Sequence, residues 1–88
     1  MKYKPYDKIN KEISVGDWVR LVEIPPGISK MPEETQIVFD NALGKTFKIE
    51  NFDEYGHAEL DLTKKVARFN TIWVEPHFLL LFRRKLKK

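Results

Sequence analysis

The sequence predicts a mainly β fold, a five-stranded antiparallel sheet that curls into a small barrel, with a short helix between strands one and two. Three observations lead to this fold class. Five short runs rich in alternating or β-branched apolar residues are separated by turn residues. Strands do not alternate with helices, which argues against a parallel sheet. Five antiparallel strands in a chain of 88 residues remove their unpaired edges best by closing into a barrel.

The first strand is predicted within residues 18–24. Gly16 and Asp17 form the preceding turn, and the run that follows is rich in β-branched and aromatic side chains. Residues 25–32 contain three prolines and a glycine, which cannot continue a hydrogen-bonded ladder.

A helix is predicted after this proline-rich stretch. Pro32 suits the first helical turn, Glu33 and Glu34 interact favourably with the helix dipole there, and Gly44 is a suitable stop. Spacings of three and four residues predict one buried face made of Val38, Phe39, Ala42 and Leu43.

The clearest unit is a hairpin with one buried face. Phe47 and Ile49 alternate with charged residues, the turn is Asp-Glu-Tyr-Gly at 53–56, and apolar residues alternate again after it. A fourth strand follows at 71–75, Pro76 forces a corner, and residues 78–82 form a short last strand. The inward positions predict a core of Val19, Leu21, Phe47, Ile49, Ala58, Leu60, Leu62, Ile72, Val74, Leu79 and Leu81.

The aromatic residues near the end of the chain break the expected pattern of a barrel strand. If Ile72 and Val74 point inward, Trp73 points outward. The same alternation in the last strand predicts an outer apolar face that consists of Trp73, Phe78, Leu80 and Phe82. Outer positions of a lone small barrel are normally polar, so something must cover this face. The candidates are residues 3–9 of the same chain, a second copy, and a different protein.

Charge is distributed unevenly along the chain. The formal net charge is +3, but residues 12–82 hold only seven of the 16 basic residues and 12 of the 13 acidic ones, which leaves this part near −5. The remaining basic residues lie in 1–11 and 83–88. We therefore divide the chain into an N-terminal arm (1–11), the barrel (12–82) and a basic C-terminal tail (83–88). The negative body argues against nucleic acid as a partner, because a phosphate-binding surface should be positive on the folded body.

The composition also limits the kinds of covalent link and metal site that the chain can form. Without cysteine there is neither a disulfide nor a Cys-ligated metal site. His57 and His77 each lie two residues from a glutamate, Glu59 and Glu75, but such pairs are common by chance. We expect no catalysis, no cofactor and no metal. The charged start resembles no signal peptide, and no apolar run approaches about 20 residues, so the expectation is a cytoplasmic protein with no membrane contact.

Three stretches, VGDWVRL (15–21), LGKTFKIENFDEYGHAEL (43–60) and IWVEPHFLLL (72–81), resemble the SH3-like barrels of small bacterial proteins. In many of these proteins a V-E-P-x-x-L pattern, here Val74 to Leu79, marks a short helical turn before the last strand. The resemblance covers residues 14–82 in outline. It implies a fold and no particular role, since this barrel hosts many functions. The chain departs from the pattern at 25–44, which replaces the long first loop of such barrels.

Two functions follow as hypotheses. The first is a non-catalytic binding or accessory module, whose partner-binding residues are Trp73, Phe78, Leu80 and Phe82 and whose partner is an unidentified protein or a second copy. The alternative is a nucleic-acid-binding domain similar to KOW and Tudor modules. It would use the basic ends of the chain and loop 63–70, through Lys64, Lys65, Arg68, Arg83 and Arg84.

Overall fold

The computed structural model describes residues 2–62 and 71–86, and within them it contains five strands, one α-helix and two 3-10 helices. The strands are β1 (Trp18–Leu21), β2 (Thr46–Phe52), β3 (Ala58–Asp61), β4 (Thr71–Val74) and β5 (Leu79–Arg83). The helix α1 is Glu33–Ala42, and the 3-10 helices are Pro26–Lys30 and Pro76–Phe78. The strands form one antiparallel sheet in the order β4-β3-β2-β1-β5.

This architecture confirms a mainly β, five-stranded antiparallel fold with a helix inserted between β1 and β2. β4 and β5 are the two ends of the strand order, so the paired strands do not close into a barrel.

The core lies on the face predicted by alternation. Ten of the eleven predicted core residues are buried, and the eleventh, Leu81, is half-buried against them. Leu81 lies next to a register shift between β1 and β5, at the margin of the core. The rest of the core comes from the residues before β1, from α1 and from the second 3-10 helix, through Ile13, Val38, Phe39, Ala42 and Phe78.

The helix begins after Pro32 and buries the predicted face except at one position. Leu43 was expected on that face but is exposed. The helix ends at Ala42, and Leu43 has an extended backbone (φ −57°, ψ 130°). Its side chain therefore no longer follows the helical spacing. β1 is also shorter than predicted and ends at Leu21.

The N-terminal segment packs against the outer edge of β5. The Lys8 N–H donates to the Leu79 carbonyl at 2.8 Å, and the Tyr3 N–H donates to the Tyr55 carbonyl at 2.7 Å. The buried Asp7 carboxylate accepts three backbone N–H groups, from Ile9, Lys11 and Leu81. The bonds from Lys8 to Leu79 and from Leu81 to Asp7 satisfy backbone groups on the edge of β5 that faces away from β1, which is a common protection of edge strands.

The residues after β5 are joined to the turn before β1. The buried Asp17 carboxylate accepts the Lys85 N–H at 2.9 Å and one Arg84 guanidinium N–H at 3.3 Å. Arg84 also donates to the Glu12 carbonyl at 2.6 Å. Arg83, assigned to the tail by sequence, is the last residue of β5. Over the described ranges, no helix has both the length and the apolar character needed to cross a bilayer.

Candidate functional site

The four residues of the predicted outer apolar face lie in three different environments. Phe78 was expected on the outside but is buried, with 8% of its surface exposed, and it packs in the core. The reason is local. Pro76 starts a 3-10 helix that ends at Phe78. Within that turn the side-chain period is three rather than two, so the strand alternation does not extend back to Phe78.

Trp73 lies in an apolar groove between β4, α1 and the first 3-10 helix. Its side chain is 44% exposed and Met31, across the groove, is 47% exposed. The groove has a volume of about 320 Å³. Its remaining lining residues are Ile28, Thr35, Val38, Phe39, Thr71 and Ile72.

Leu80 and Phe82 lie on β5, at the other end of the strand order from Trp73. Leu80 is half-buried, and Phe82 is 55% exposed. The guanidinium of Arg20 lies 5.3 Å from the centroid of the Phe82 ring. This is within the range of a cation–π contact.

The outer surface of β2, β1 and β5 carries aromatic rings and basic side chains side by side. Because Val19 and Leu21 are buried, Trp18 and Arg20 point to the other face of β1. Trp18 pairs with Lys48 on one side and with Arg83 on the other, and the Arg83 guanidinium lies 5.7 Å from the Trp18 ring centroid. We name this surface the cation–aromatic face and define it by Trp18, Arg20, Lys48, Phe82 and Arg83.

An open cavity of about 420 Å³ adjoins this face. Trp18 forms one of its walls, and its other lining residues are Gly16, Lys48, Arg83, Arg84, Lys85 and Leu86. Gly16 has φ +95°, and a Cβ added there would lie 3.1 Å from the Lys85 side chain. The glycine thus provides both the turn and the space that Lys85 occupies.

The residues of the nucleic-acid alternative fall into two groups. Lys64, Lys65 and Arg68 lie outside the described residues. Arg83 lies on the cation–aromatic face, whereas the charge of Arg84 is paired with the buried Asp17.

Three elements of the fold together carry carboxylates but no basic side chain. α1, β3 and β4 contain no lysine or arginine, and they carry five carboxylates, those of Glu33, Glu34, Asp40, Glu59 and Asp61. Five of the twelve acidic residues in 12–82 therefore lie on elements other than β1, β2 and β5, which form the cation–aromatic face.

Both histidines contact carboxylates close to the N-terminal segment. His57 Nδ1 lies 2.9 Å from Asp53 Oδ2, so the carboxylate that it contacts is Asp53 rather than the nearby Glu59. His77 Nε2 lies 3.2 Å from Glu75 Oε2, as the spacing suggested. The Tyr3 ring packs against His57 with ring centroids 5.0 Å apart.

Two side chains of this cluster have shifted pKa values. The hydrogen bond to Glu75, followed by partial desolvation and the negative charge of Glu75, raises the pKa of Tyr3 above 10. Partial desolvation alone would raise the pKa of Asp53. It is outweighed by hydrogen bonds from His57 and Tyr55 and by the proximity of the His57 side chain, so the pKa lies below its usual value.

This cluster holds the N-terminal segment in place and has no metal-binding geometry. Residues 2–62 and 71–86 contain no group of three or more His, Asp or Glu side chains arranged to hold a metal ion. The backbone of Tyr3 also lies very close to Gly56 in the hairpin turn. A Cβ at Gly56 would lie 2.1 Å from the Tyr3 carbonyl oxygen, so the segment approaches the hairpin turn closely only because residue 56 is glycine.

Sequence reasoning did not assign a role to Arg20 or Lys48. Alternation on β1 already places Trp18 and Arg20 on one side, but their neighbours depend on the register of β1 with β2 and β5. That register joins residues 30 and 65 positions apart, and no local pattern gives it. Comparison with models of protein families, with curated proteins and with solved structures finds no match.

Proposed function

We infer that this chain is a non-catalytic, SH3-like binding module that contacts a protein partner through Trp73. Two features support the SH3-like part. The 3-10 helix Pro76–Phe78 lies between β4 and β5, where the Val-Glu-Pro pattern implies a helical turn. The chain pairs each strand with its sequence neighbour except for β5, which returns to β1. That return places β5 beside β1, so β4 and β5 are the edges that would meet if the sheet closed into a barrel.

The observation that carries the proposal is the half-exposed Trp73 in its apolar groove. Leaving large apolar side chains in water forgoes roughly 1.5–3 kcal/mol of burial for each. Trp73 and Met31 both remain accessible across this groove. Tryptophan is enriched among the residues that dominate binding energy at protein interfaces. The buried Phe78 has no part in this contact, and Leu80 and Phe82 lie at the other end of the sheet.

The surroundings of the groove favour a particular partner chemistry. Glu33 and Glu34 begin α1, and Glu59 is the cross-strand neighbour of Trp73. A segment with one large apolar side chain and flanking lysine or arginine residues would fill the groove and match these charges. Such a segment belongs either to a different protein or to a second copy of this chain.

A matched pair of substitutions tests the groove. Met31→Glu adds a negative charge to its wall, whereas Ile37→Glu adds the same charge to an equally exposed position of α1 outside the lining. We expect Met31→Glu to remove a protein that co-purifies with the tagged wild type, measured by quantitative mass spectrometry, and Ile37→Glu to retain it.

Light scattering after size exclusion separates the two kinds of partner. If the partner is a second copy, the wild type and Ile37→Glu have the mass of a dimer and Met31→Glu that of a monomer. Identical masses and identical co-purifying proteins for all three chains would contradict the proposal.

A further inference from the structure

We propose that the cation–aromatic face binds single-stranded nucleic acid. Bases stack on the rings of Trp18 and Phe82, and phosphates are neutralised by the neighbouring cations, Arg20, Lys48, Arg83 and Lys85. This site is independent of the proposed protein contact at Trp73, because it lies on β2, β1 and β5 and the groove lies on β4 and α1.

The first argument is the pairing of each ring with a cation. Arg83 lies over Trp18 at 5.7 Å, and Arg20 lies over Phe82 at 5.3 Å. A single strand presents a base and a phosphate in every nucleotide. A surface that binds it therefore needs aromatic planes and positive charges in alternation. Guanidinium planes also stack on bases, so the two arginines contribute in both ways.

The second argument is the shape of the surface. The cavity beside Trp18 is open, and three basic side chains besides Arg84 line it. An accessible ring on a sheet can stack only on a base that is not already stacked within a duplex. The geometry therefore selects single strands over double strands of the same charge.

The third argument is electrostatic. The strands β1, β2 and β5 carry three of the four cations and one carboxylate, that of the exposed Glu50. Arg84 adds little, because Asp17 neutralises it. The five carboxylates of α1, β3 and β4 repel a polyanion from those elements. A strand is thus directed to the face that holds the rings, although the net charge is only +3.

Fluorescence anisotropy with labelled oligonucleotides tests the proposal. The probes are oligo(dT) and oligo(U) of 20 nucleotides and a DNA duplex of 20 base pairs, and polyglutamate serves as a competitor. We expect both single strands to bind more tightly than the duplex and polyglutamate to compete poorly. Four phosphate contacts predict a slope of about −3 for log K against log salt, at about 0.7 per phosphate. The ratio of the two single-strand affinities tells DNA from RNA as the preferred ligand.

The aromatic contribution is tested with two equally exposed residues. Phe82→Leu keeps an apolar side chain but removes the ring on the face, and Tyr55→Leu does the same at the hairpin turn. We expect Phe82→Leu to weaken binding about tenfold, because one stacked base is worth roughly a factor of ten. Tyr55→Leu should bind as the wild type does.

A second pair of substitutions tests how the basic side chains contribute to binding. Lys48→Gln removes a charge on the face, and Lys30→Gln removes one from the first 3-10 helix. Only Lys48→Gln should reduce the salt slope, by about 0.7. Circular-dichroism melting of each variant checks that its fold is intact.

Tryptophan fluorescence reports stacking directly. In a Trp73→Phe background Trp18 is the single emitter, and oligo(dT) should quench it. Trp18→Phe keeps an aromatic ring and should retain most of the affinity measured by anisotropy. Trp18→Leu removes the ring and should lose most of that affinity. Unquenched Trp18, equal affinity for duplex and single strands, effective competition by polyglutamate, or equal affinities of Phe82→Leu and Tyr55→Leu would each overturn the proposal.

Discussion

At the scale of single residues, Phe78 and Phe82 lie four positions apart, yet one is in the core and the other is on the surface. Phe78 ends a 3-10 helix and is buried, whereas Phe82 lies at a register shift of β5 and is mostly exposed. Their chemistry is identical, so the difference in environment should appear directly in stability.

We expect Phe78→Ala to lower the free energy of unfolding by about 3–5 kcal/mol, because it removes a buried ring and leaves a cavity. Phe82→Ala should cost about 1 kcal/mol or less, since it loses only a partly exposed cation–π contact. Urea denaturation of both variants measures the two values. Equal costs would mean that Phe78 is not in the core.

Asp53 gives the hairpin turn a dependence on pH. Its pKa is lower in the folded chain than in the unfolded one. The ionised form therefore stabilises the fold above about pH 4, and this stabilisation disappears as pH falls through the lower, folded pKa.

Asp53→Asn should accordingly lower the melting temperature most at neutral pH, and the difference from the wild type should shrink below about pH 4. Glu54→Gln removes a charge from the same turn without these hydrogen bonds and is the control. A deficit of Asp53→Asn that stays constant down to pH 2 would contradict this account.

Alternation predicted individual residues well wherever the chain is a strand. It identified the buried Leu60, Ile72 and Leu79 correctly. It failed at Phe78 because the sequence pattern continues through a turn whose period has changed.

At the scale of elements, the N-terminal segment was the least predictable part. The helix and the hairpin are encoded by neighbouring residues, through Pro32, Gly44 and the turn at 53–56. The segment is held instead by Tyr55, Leu79 and Leu81, which lie more than 50 positions away. The pattern of residues 1–11 gives no indication of those partners.

Gly56 allows a direct test of how this segment docks. In Gly56→Ala the new Cβ would collide with the Tyr3 carbonyl, and the positive φ of +97° adds strain to the turn. We expect faster hydrogen exchange at the Tyr3 amide, with less change at the Leu60 amide in β3.

Gly27→Ala is the matched control. A Cβ added at Gly27 would meet no described residue within 4 Å other than its chain neighbours, and the φ of Gly27 is not positive. Its exchange rates should equal those of the wild type. Unchanged exchange at Tyr3 in Gly56→Ala would show that the segment does not pack on this turn.

At the scale of the whole molecule, the number of charged residues does not show which of them lie side by side on the folded surface. Counting residues along the chain predicted a negative body, and that count is correct. It could not reveal that Arg20, Lys48 and Arg83 meet on neighbouring strands, whereas Glu59 and Asp61 lie on β3. The candidate surfaces depend on strand order, which the sequence patterns left open.

The small core should leave little reserve of stability. Leu60 is fully buried on β3, one of the three inner strands of the sheet. Its replacement by alanine is expected to cost about 2–5 kcal/mol, out of about 5–15 kcal/mol for a domain of this kind. In a urea titration, the unfolding midpoint of Leu60→Ala should lie at a low urea concentration. A loss below 1 kcal/mol would exclude a central position for Leu60.

The two buried carboxylates impose an order on folding during synthesis. Asp7 and Asp17 emerge from the ribosome early, but their donors at Leu81 and Lys85 follow 74 and 68 positions later. Nearby N–H groups of Ile9, Lys11 and Ser14 satisfy only part of these two carboxylates, so burying either charge before the distant donors arrive is costly. The contacts of greatest sequence separation are therefore made last and slow the folding of the whole chain. Once they form, unfolding of one terminus breaks bonds to the other, and the two ends open together.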